Sequence, residues 1–167
     1  MKNLSEYNDV KLMLVSTSFF GLDYDLIAGK EVIASYGCDR TFSMNGLMNG
    51  FGKSIEFYKE SAWKGTTSIR EAGKENPFAV CKREAGFYTG IVELQKGNRV
   101  RIKLGFFYVT VTIEKENGTE IAVLKRANFL SGKINLLIKE KSALLDENPW
   151  IIFLALHLSI RGMMRRL

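Results

Sequence analysis

The chain has little with which to build catalytic or metal chemistry. One histidine and two cysteines, Cys38 and Cys81, are spread over 167 residues. A zinc site made from Cys and His is therefore short of its usual four ligands. A Ser-His-Asp or Cys-His nucleophile would have to recruit His157, the sole histidine. Two cysteines do not make a disulfide framework for a domain of this size, and both are expected to be free thiols in a reducing cytoplasm. Proline is equally scarce, with two residues in all, and no Ser/Pro-rich or Gln/Asn-rich stretch offers a disordered linker. The N-terminal stretch makes a poor secretory leader, because Glu6 and Asp9 precede its apolar run and Ser16, Thr17 and Ser18 interrupt it. One domain over residues 1–167, folded nearly end to end, is the expectation.

The charge present is mostly positive and unevenly placed. The net charge is +6, yet residues 1–60 hold 6 Lys and Arg against 8 Asp and Glu, whereas residues 61–167 hold 18 against 10. That asymmetry suits an anionic partner, phospholipid or nucleic acid, although solubility alone is the plain alternative.

From Lys11 onward, short β-branched, aromatic and aliphatic runs recur between turn signals, the pattern of an all-β domain. KLMLVSTSFF, KEVIASY, KSIEFYKE, FAVCKRE, YTGIVELQ, RVRIKLG, FYVTVTIEK, TEIAVLKR and GKINLLIKE are the candidate strands. Gln95-Lys96-Gly97-Asn98 and Glu116-Asn117-Gly118-Thr119 read as hairpin turns, with Asn117-Gly118 fitting type I′. Residues 88–126 thus form an expected antiparallel meander. Residues 41–53, TFSMNGLMNGFGK, read as strand, bend, strand, with Gly46, Gly50 and Gly52 marking a bulge or a close backbone approach. They do not form a P-loop, because the Gly-Lys-Ser at 52–54 lacks the required glycine five residues earlier.

The chain ends in a run of different character. Trp150 to Ile160 is apolar at all but His157 and Ser159. Asn148 suits an N-cap and Pro149 a first helical position, with Asp146 and Glu147 at the positive end and Arg161, Arg165 and Arg166 at the negative end. Apolar residues all round a helix mark burial on every side. Eleven residues at ~1.5 Å each reach ~16 Å, about half a bilayer's hydrocarbon core, and the segment lacks the wide polar face of an interfacial helix. A helix over 148–166 enclosed by a barrel over 11–141 remains. The expected fold is mainly β: a closed antiparallel barrel of about ten to twelve strands around a buried hydrophobic C-terminal helix.

Asn117-Gly118-Thr119-Glu120-Ile121-Ala122-Val123-Leu124-Lys125-Arg126, then Gly132-Lys133-Ile134-Asn135-Leu136-Leu137-Ile138 and the terminal helix, resemble the end of the tubby C-terminal-like superfamily. Tubby proteins, phospholipid scramblases and LURP-one-related proteins share that superfamily's fold. The resemblance covers about fifty residues well. It departs at Arg126-Ala127-Asn128-Phe129, where many members have a Lys-Trp pair, and no cysteine-rich or proline-rich scramblase segment is present. It implies the barrel with a central helix and an affinity for membrane lipid, but no calcium site or scramblase activity.

In Arg99-Val100-Arg101-Ile102-Lys103-Leu104 the alternation is strict, setting Arg99, Arg101 and Lys103 on one sheet face. With Lys82, Arg83, Lys125 and Arg126 on neighbouring segments they form the candidate lipid- or anion-binding face. Cations two apart on a strand are ~6.5 to 7 Å apart, close to a phosphate spacing. Nucleic acid is the less favoured partner, since Tyr108 is the sole aromatic expected there and base stacking needs more. Glu114, Glu116 and Glu120 read as an exposed polar turn, and His157 as a satisfied core histidine. No catalytic residue, metal or cofactor is expected. The reading is a cytoplasmic binding module, peripheral at the membrane, with a protein-interaction module as the alternative. A small apolar ligand inside the barrel is disfavoured, because the helix would fill its place.

Overall fold

Alternating burial runs through the strands of the computed structural model, which describes residues 3–7, 9–39, 43–59, 65–84, 88–128 and 131–164. Side chains of period two put one face inward and one outward. The strands are β1 (Leu12–Ser16), β2 (Tyr24–Ala28), β3 (Glu31–Cys38), β4 (Gly46–Gly50), β5 (Lys53–Tyr58), β6 (Thr66–Glu71), β7 (Ala79–Arg83), β8 (Thr89–Glu93), β9 (Arg99–Leu104), β10 (Thr110–Lys115), β11 (Glu120–Arg126) and β12 (Lys133–Ile138). Each pairs antiparallel with its sequence neighbours, and β12 returns to β1 through Leu14↔Ile134, closing a twelve-stranded barrel. Closure leaves no sheet edge open. Two helices follow, α1 (Ala143–Glu147) and α2 (Trp150–Met164).

All nine candidate strands are strands. Three more, β2, β4 and β6, complete the barrel. β4 ends in Gly50, and Phe51 (φ 52) and Gly52 (φ 70) then make the two-residue turn to β5, since Gly50 pairs Lys53. Positive φ at both central positions is the type I′ geometry. The Asn117-Gly118 turn differs from expectation: Gly118 (φ 85) has positive φ and Asn117 does not, while the Lys115 carbonyl accepts from the Gly118 amide and Lys115 N–H donates to the Thr119 carbonyl. That is a three-residue loop with a left-handed glycine bulge.

A second correction concerns Phe107–Val109. They precede β10 rather than belonging to it. Residues Phe106–Tyr108 form a 3₁₀ turn in which Phe107 (φ 50) and Tyr108 (φ 55) are left-handed, so Phe107 points out and Tyr108 is buried. This reverses the faces that simple alternation assigned to them.

In α2, Trp150 through Gly162 are thirteen consecutive buried residues. No exposed stripe remains, and contacts come from around the barrel: Phe153 and His157 against Tyr36 of β3, Arg161 against Thr67 of β6, Leu158 beside Gly90 of β8, and Leu156 and Ser159 beside Val111 and Leu124. The gap between α2 and β10–β12 does not admit even a water molecule. The helix is the core of the barrel. Asn148 caps the end of α1 instead of starting α2, and Asp146 accepts from the Ser5 backbone and hydroxyl, tying α1 to the N-terminal turn. Arg165 and Arg166 lie outside the described residues.

Up-and-down order sends the β1–β2, β3–β4, β5–β6, β7–β8, β9–β10 and β11–β12 connections to one end of the barrel. Trp150 packs on Phe78 in the β6–β7 connection at the opposite end (5.4 Å between ring centroids), and Gly162 abuts Tyr108 in the β9–β10 connection. The six connections named therefore surround the C-terminal end of α2.

Candidate functional site

Strand alternation admits one member of each consecutive cation pair to a given face. Lys82, Arg99, Arg101, Lys103 and Lys125 lie on the outer face of β7–β11. Arg126 does not. It is 4% exposed and turned inward, its guanidinium donating to the Tyr24 hydroxyl (3.1 Å) and the Ser131 carbonyl (3.1 Å). Arg83 follows the inward parity of Ala79 and Cys81 and is half-buried. The period-two rule that grouped Arg99, Arg101 and Lys103 would also have separated Lys82 from Arg83 and Lys125 from Arg126.

The same face carries acids. Register aligns Lys82, Ile91, Arg101, Glu114 and Glu120 across β7–β11. Lys82 and Arg99 each lie 3.7 Å from Glu93, Arg99 lies 3.7 Å from Glu116, and Lys103 lies 2.8 Å from Glu114. The exposed pairs contribute ~0 to 1 kcal/mol each. Glu114 differs, because it is buried and not part of an exposed turn; alternation sets it on the outer face, and the β9–β10 register, which pairs Thr112 with Lys103 and Glu114 with Arg101, brings it to the Lys103 ammonium. A buried carboxylate needs such a partner.

The charges separate along the barrel axis. Glu93, Glu116 and Glu120 sit towards the end where α2 begins, while Lys103, Lys125 and Lys133 sit towards the end where it finishes. Lys125 and Lys133 are exposed and have no ion pair among the described residues. Lys133 opens its strand beside a turn, so sequence alternation alone does not group it with the other cations.

Inside the barrel, the Tyr36 hydroxyl lies 2.6 Å from His157 Nδ1, and Phe57 stacks on the imidazole with centroids 5.6 Å apart. Burial, with a smaller effect from the Cys38 thiol, pushes the Tyr36 phenol well above its usual range. A phenol so held stays protonated and shares one hydrogen bond with Nδ1, while Nε2 has no partner in the described structure. Burial, followed by the nearby Arg161 and Arg83 charges, pulls His157 down to about 3. The ring is neutral near pH 7 and shielded from solvent. β4 can approach it because Gly46 is a glycine, since a Cβ there would come within 2.8 Å of both His157 Nδ1 and the Tyr36 ring. Cys38 and Cys81 are buried free thiols, and burial lifts Cys81 to about 12. Such thiols are poor nucleophiles.

Tyr108, expected beside the cations, is instead buried against α2. The exposed aromatics lie elsewhere. Among the described residues Phe19, Phe20, Tyr88, Phe106 and Phe107 are exposed, and all five belong to connections at the C-terminal end of α2. Phe19, Phe20 and Phe107 fall within candidate strands of the sequence but lie in these connections.

The opposite end has an open cleft of about 800 Å³ whose lining mixes Lys53, Lys74, Glu71 and Glu75 with Phe78 and Trp150. No group of three or more His, Cys, Asp or Glu placed to hold a metal occurs among the described residues. No described helix is long and apolar enough to cross a membrane. Neither a protein-family model, nor a curated protein, nor a solved structure matches the chain.

Proposed function

We propose that this chain is a non-enzymatic binding module that associates with anionic phospholipid head groups through its basic outer face. The observation that carries the reading is the axial separation of charge on β8–β12. Arg99, Arg101 and Lys82 share their surface with Glu93, Glu114 and Glu116, whereas Lys125 and Lys133 face solvent without an ion partner among the described residues. Unneutralised cations attract an anionic surface over roughly one Debye length, about 10 Å at 0.1 M salt. The closed barrel around a C-terminal helix agrees with the architecture that the tubby C-terminal-like resemblance implies. Fold alone does not assign function.

Co-sedimentation with phosphatidylcholine vesicles, with and without phosphatidylserine, tests this at low and physiological salt. Binding that needs the anionic lipid and weakens with salt is expected. Lys125→Gln with Lys133→Gln should weaken it roughly 30-fold, at about 1 kcal/mol for each lysine near the surface. Absence of binding at low salt would overturn the proposal. A protein-interaction module is the second reading, and the exposed aromatics favour it; it would be recognised by a stable oligomer or complex indifferent to lipid charge.

A further inference from the structure

Phenylalanine is normally turned into a core, and this protein does so at one end of its barrel. Phe51 and Phe78, in connections near the start of α2, pack against the core. At the other end the same residue type is turned out. Phe19 is 97% exposed and Phe106 77%, with Phe20 and Phe107 also exposed beside them. The rings meet in edge-on pairs, Phe19 with Phe20 at 5.5 Å and Phe106 with Phe107 at 4.1 Å between centroids.

Both loops are held in place. In the β1–β2 connection the Ser18 hydroxyl oxygen accepts from the Leu22 and Asp23 amides, Thr17 N–H donates to the Asp23 carbonyl, and Leu22 is buried as an anchor. In the β9–β10 connection Gly105 N–H donates to the Thr110 carbonyl and Tyr108 is seated against Gly162, where any larger residue would overlap its ring. Left-handed φ at Phe107 and Tyr108 is strained for residues with side chains, and such strain persists where surrounding contacts over-determine it. The strained turn drives Phe106 and Phe107 outward while Tyr108 stays inside.

We infer that this aromatic rim enters the interfacial layer of an anionic bilayer, with Lys125 and Lys133 contacting head groups behind it. The inference rests on the lipid reading above and supplies the contact surface and orientation. Register places the lysines on the strands between the two loops: Lys125 pairs Thr110 at the start of β10, and Lys133 pairs Val15 near the end of β1. Aromatic rings with a cationic collar match the interface, where rings settle at head-group depth. Acids at this end include Asp23, in the rim loop of Phe19 and Phe20 itself, and Asp25, Asp39, Glu56 and Glu84 on β2, β5 and the β3–β4 and β7–β8 connections; among the described residues none lies at this end of β10–β12, the strands that carry the lysines. Separate projecting tips also fit a fluid bilayer, which needs no preformed pockets, better than a rigid protein surface, which would need one for each pair.

The test uses the intact chain and two double variants, Phe19→Ser with Phe20→Ser, and Phe106→Ser with Phe107→Asn, the asparagine chosen because it tolerates the left-handed turn. Val32→Ser, near the opposite end, is the control. Each aromatic variant should lower partitioning onto phosphatidylserine-containing vesicles about tenfold or more, since burial of one Phe is worth at least one decade of affinity, and should leave the melting temperature unchanged. Val32→Ser should bind as the intact chain does. If the intact chain binds anionic vesicles and both aromatic variants bind equally well, the inference fails, the lipid reading stands, and the rim passes to a protein partner. If the intact chain binds no vesicle, both fail. Quenching of a tryptophan placed by Phe19→Trp by bromolipids provides a second readout, and absence of quenching in the bound state would also overturn the inference.

Discussion

Acidification should destabilise the barrel through His157 at pH values where most carboxylates are still ionised. The imidazole is held neutral in the fold down to about pH 3, whereas in the unfolded chain it takes up a proton near pH 6.5. A depressed folded pKa gives full stability above the unfolded pKa and a progressive loss below it, ending only when the folded ring also protonates near 3. At 1.36 kcal/mol per pH unit, lowering the pH from 7.5 to 5 removes about 2 kcal/mol. Against a total of roughly 5–15 kcal/mol that is a large share. Urea unfolding at pH 7.5, 6 and 5 would show it as a fall in midpoint of roughly 1 M, for a urea slope near 2 kcal/mol per M. His157→Gln isolates the contribution, because glutamine keeps an acceptor for the Tyr36 hydroxyl but does not titrate. The variant should be less stable at pH 7.5 yet lose about 2 kcal/mol less than the parent between pH 7.5 and 5. Equal pH slopes in the two proteins would refute the claim that the ring is buried and neutral.

Three further outcomes follow from packing. Gly162→Ala forces a methyl group into the Tyr108 ring; overpacking of this kind costs about 1–3 kcal/mol, measurable by thermal melting. Phe153→Ala, in α2 and stacked on Tyr36, should cost about 3–5 kcal/mol in chemical unfolding; less than about 1 kcal/mol would show that α2 is not the barrel's core. Lys103→Gln leaves the buried Glu114 carboxylate without its cation, a loss of roughly 1–3 kcal/mol that Glu114→Gln in the same chain should partly restore.

The pattern of apolar residues carried most of the fold. Thirteen buried residues in α2 follow from an apolar run with no polar stripe, and nine strands follow from alternation. β2 and β6 escaped because Asp25 interrupts YDLIA and because TTSIRE has a single aliphatic residue, with Thr67 in place of an apolar side chain on its inward face, so their apolar signal is short. β4 was seen as irregular because its glycines serve close approach, as Gly46 does for the Tyr36–His157 pair. Partners across the sheet were the larger gap. Nothing near Lys103 in the sequence announces that the β9–β10 register will set the buried Glu114 against it. Likewise Phe106-Phe107-Tyr108 resembles any apolar run until left-handed φ at the last two turns one ring in and two out.

The most direct test of the proposed membrane contact is the depth of spin labels on the vesicle-bound chain, attached through Ala127→Cys in the β11–β12 connection and Asn98→Cys at the opposite end. Both positions are exposed, whereas Cys38 and Cys81 are buried. Relaxation by oxygen, which concentrates in lipid, is compared with relaxation by a water-soluble nickel complex. An oxygen-dominated signal at residue 127 and a nickel-dominated signal at residue 98 are expected. Nickel dominance at both positions in the bound state, or oxygen dominance at residue 98, would contradict the proposed contact.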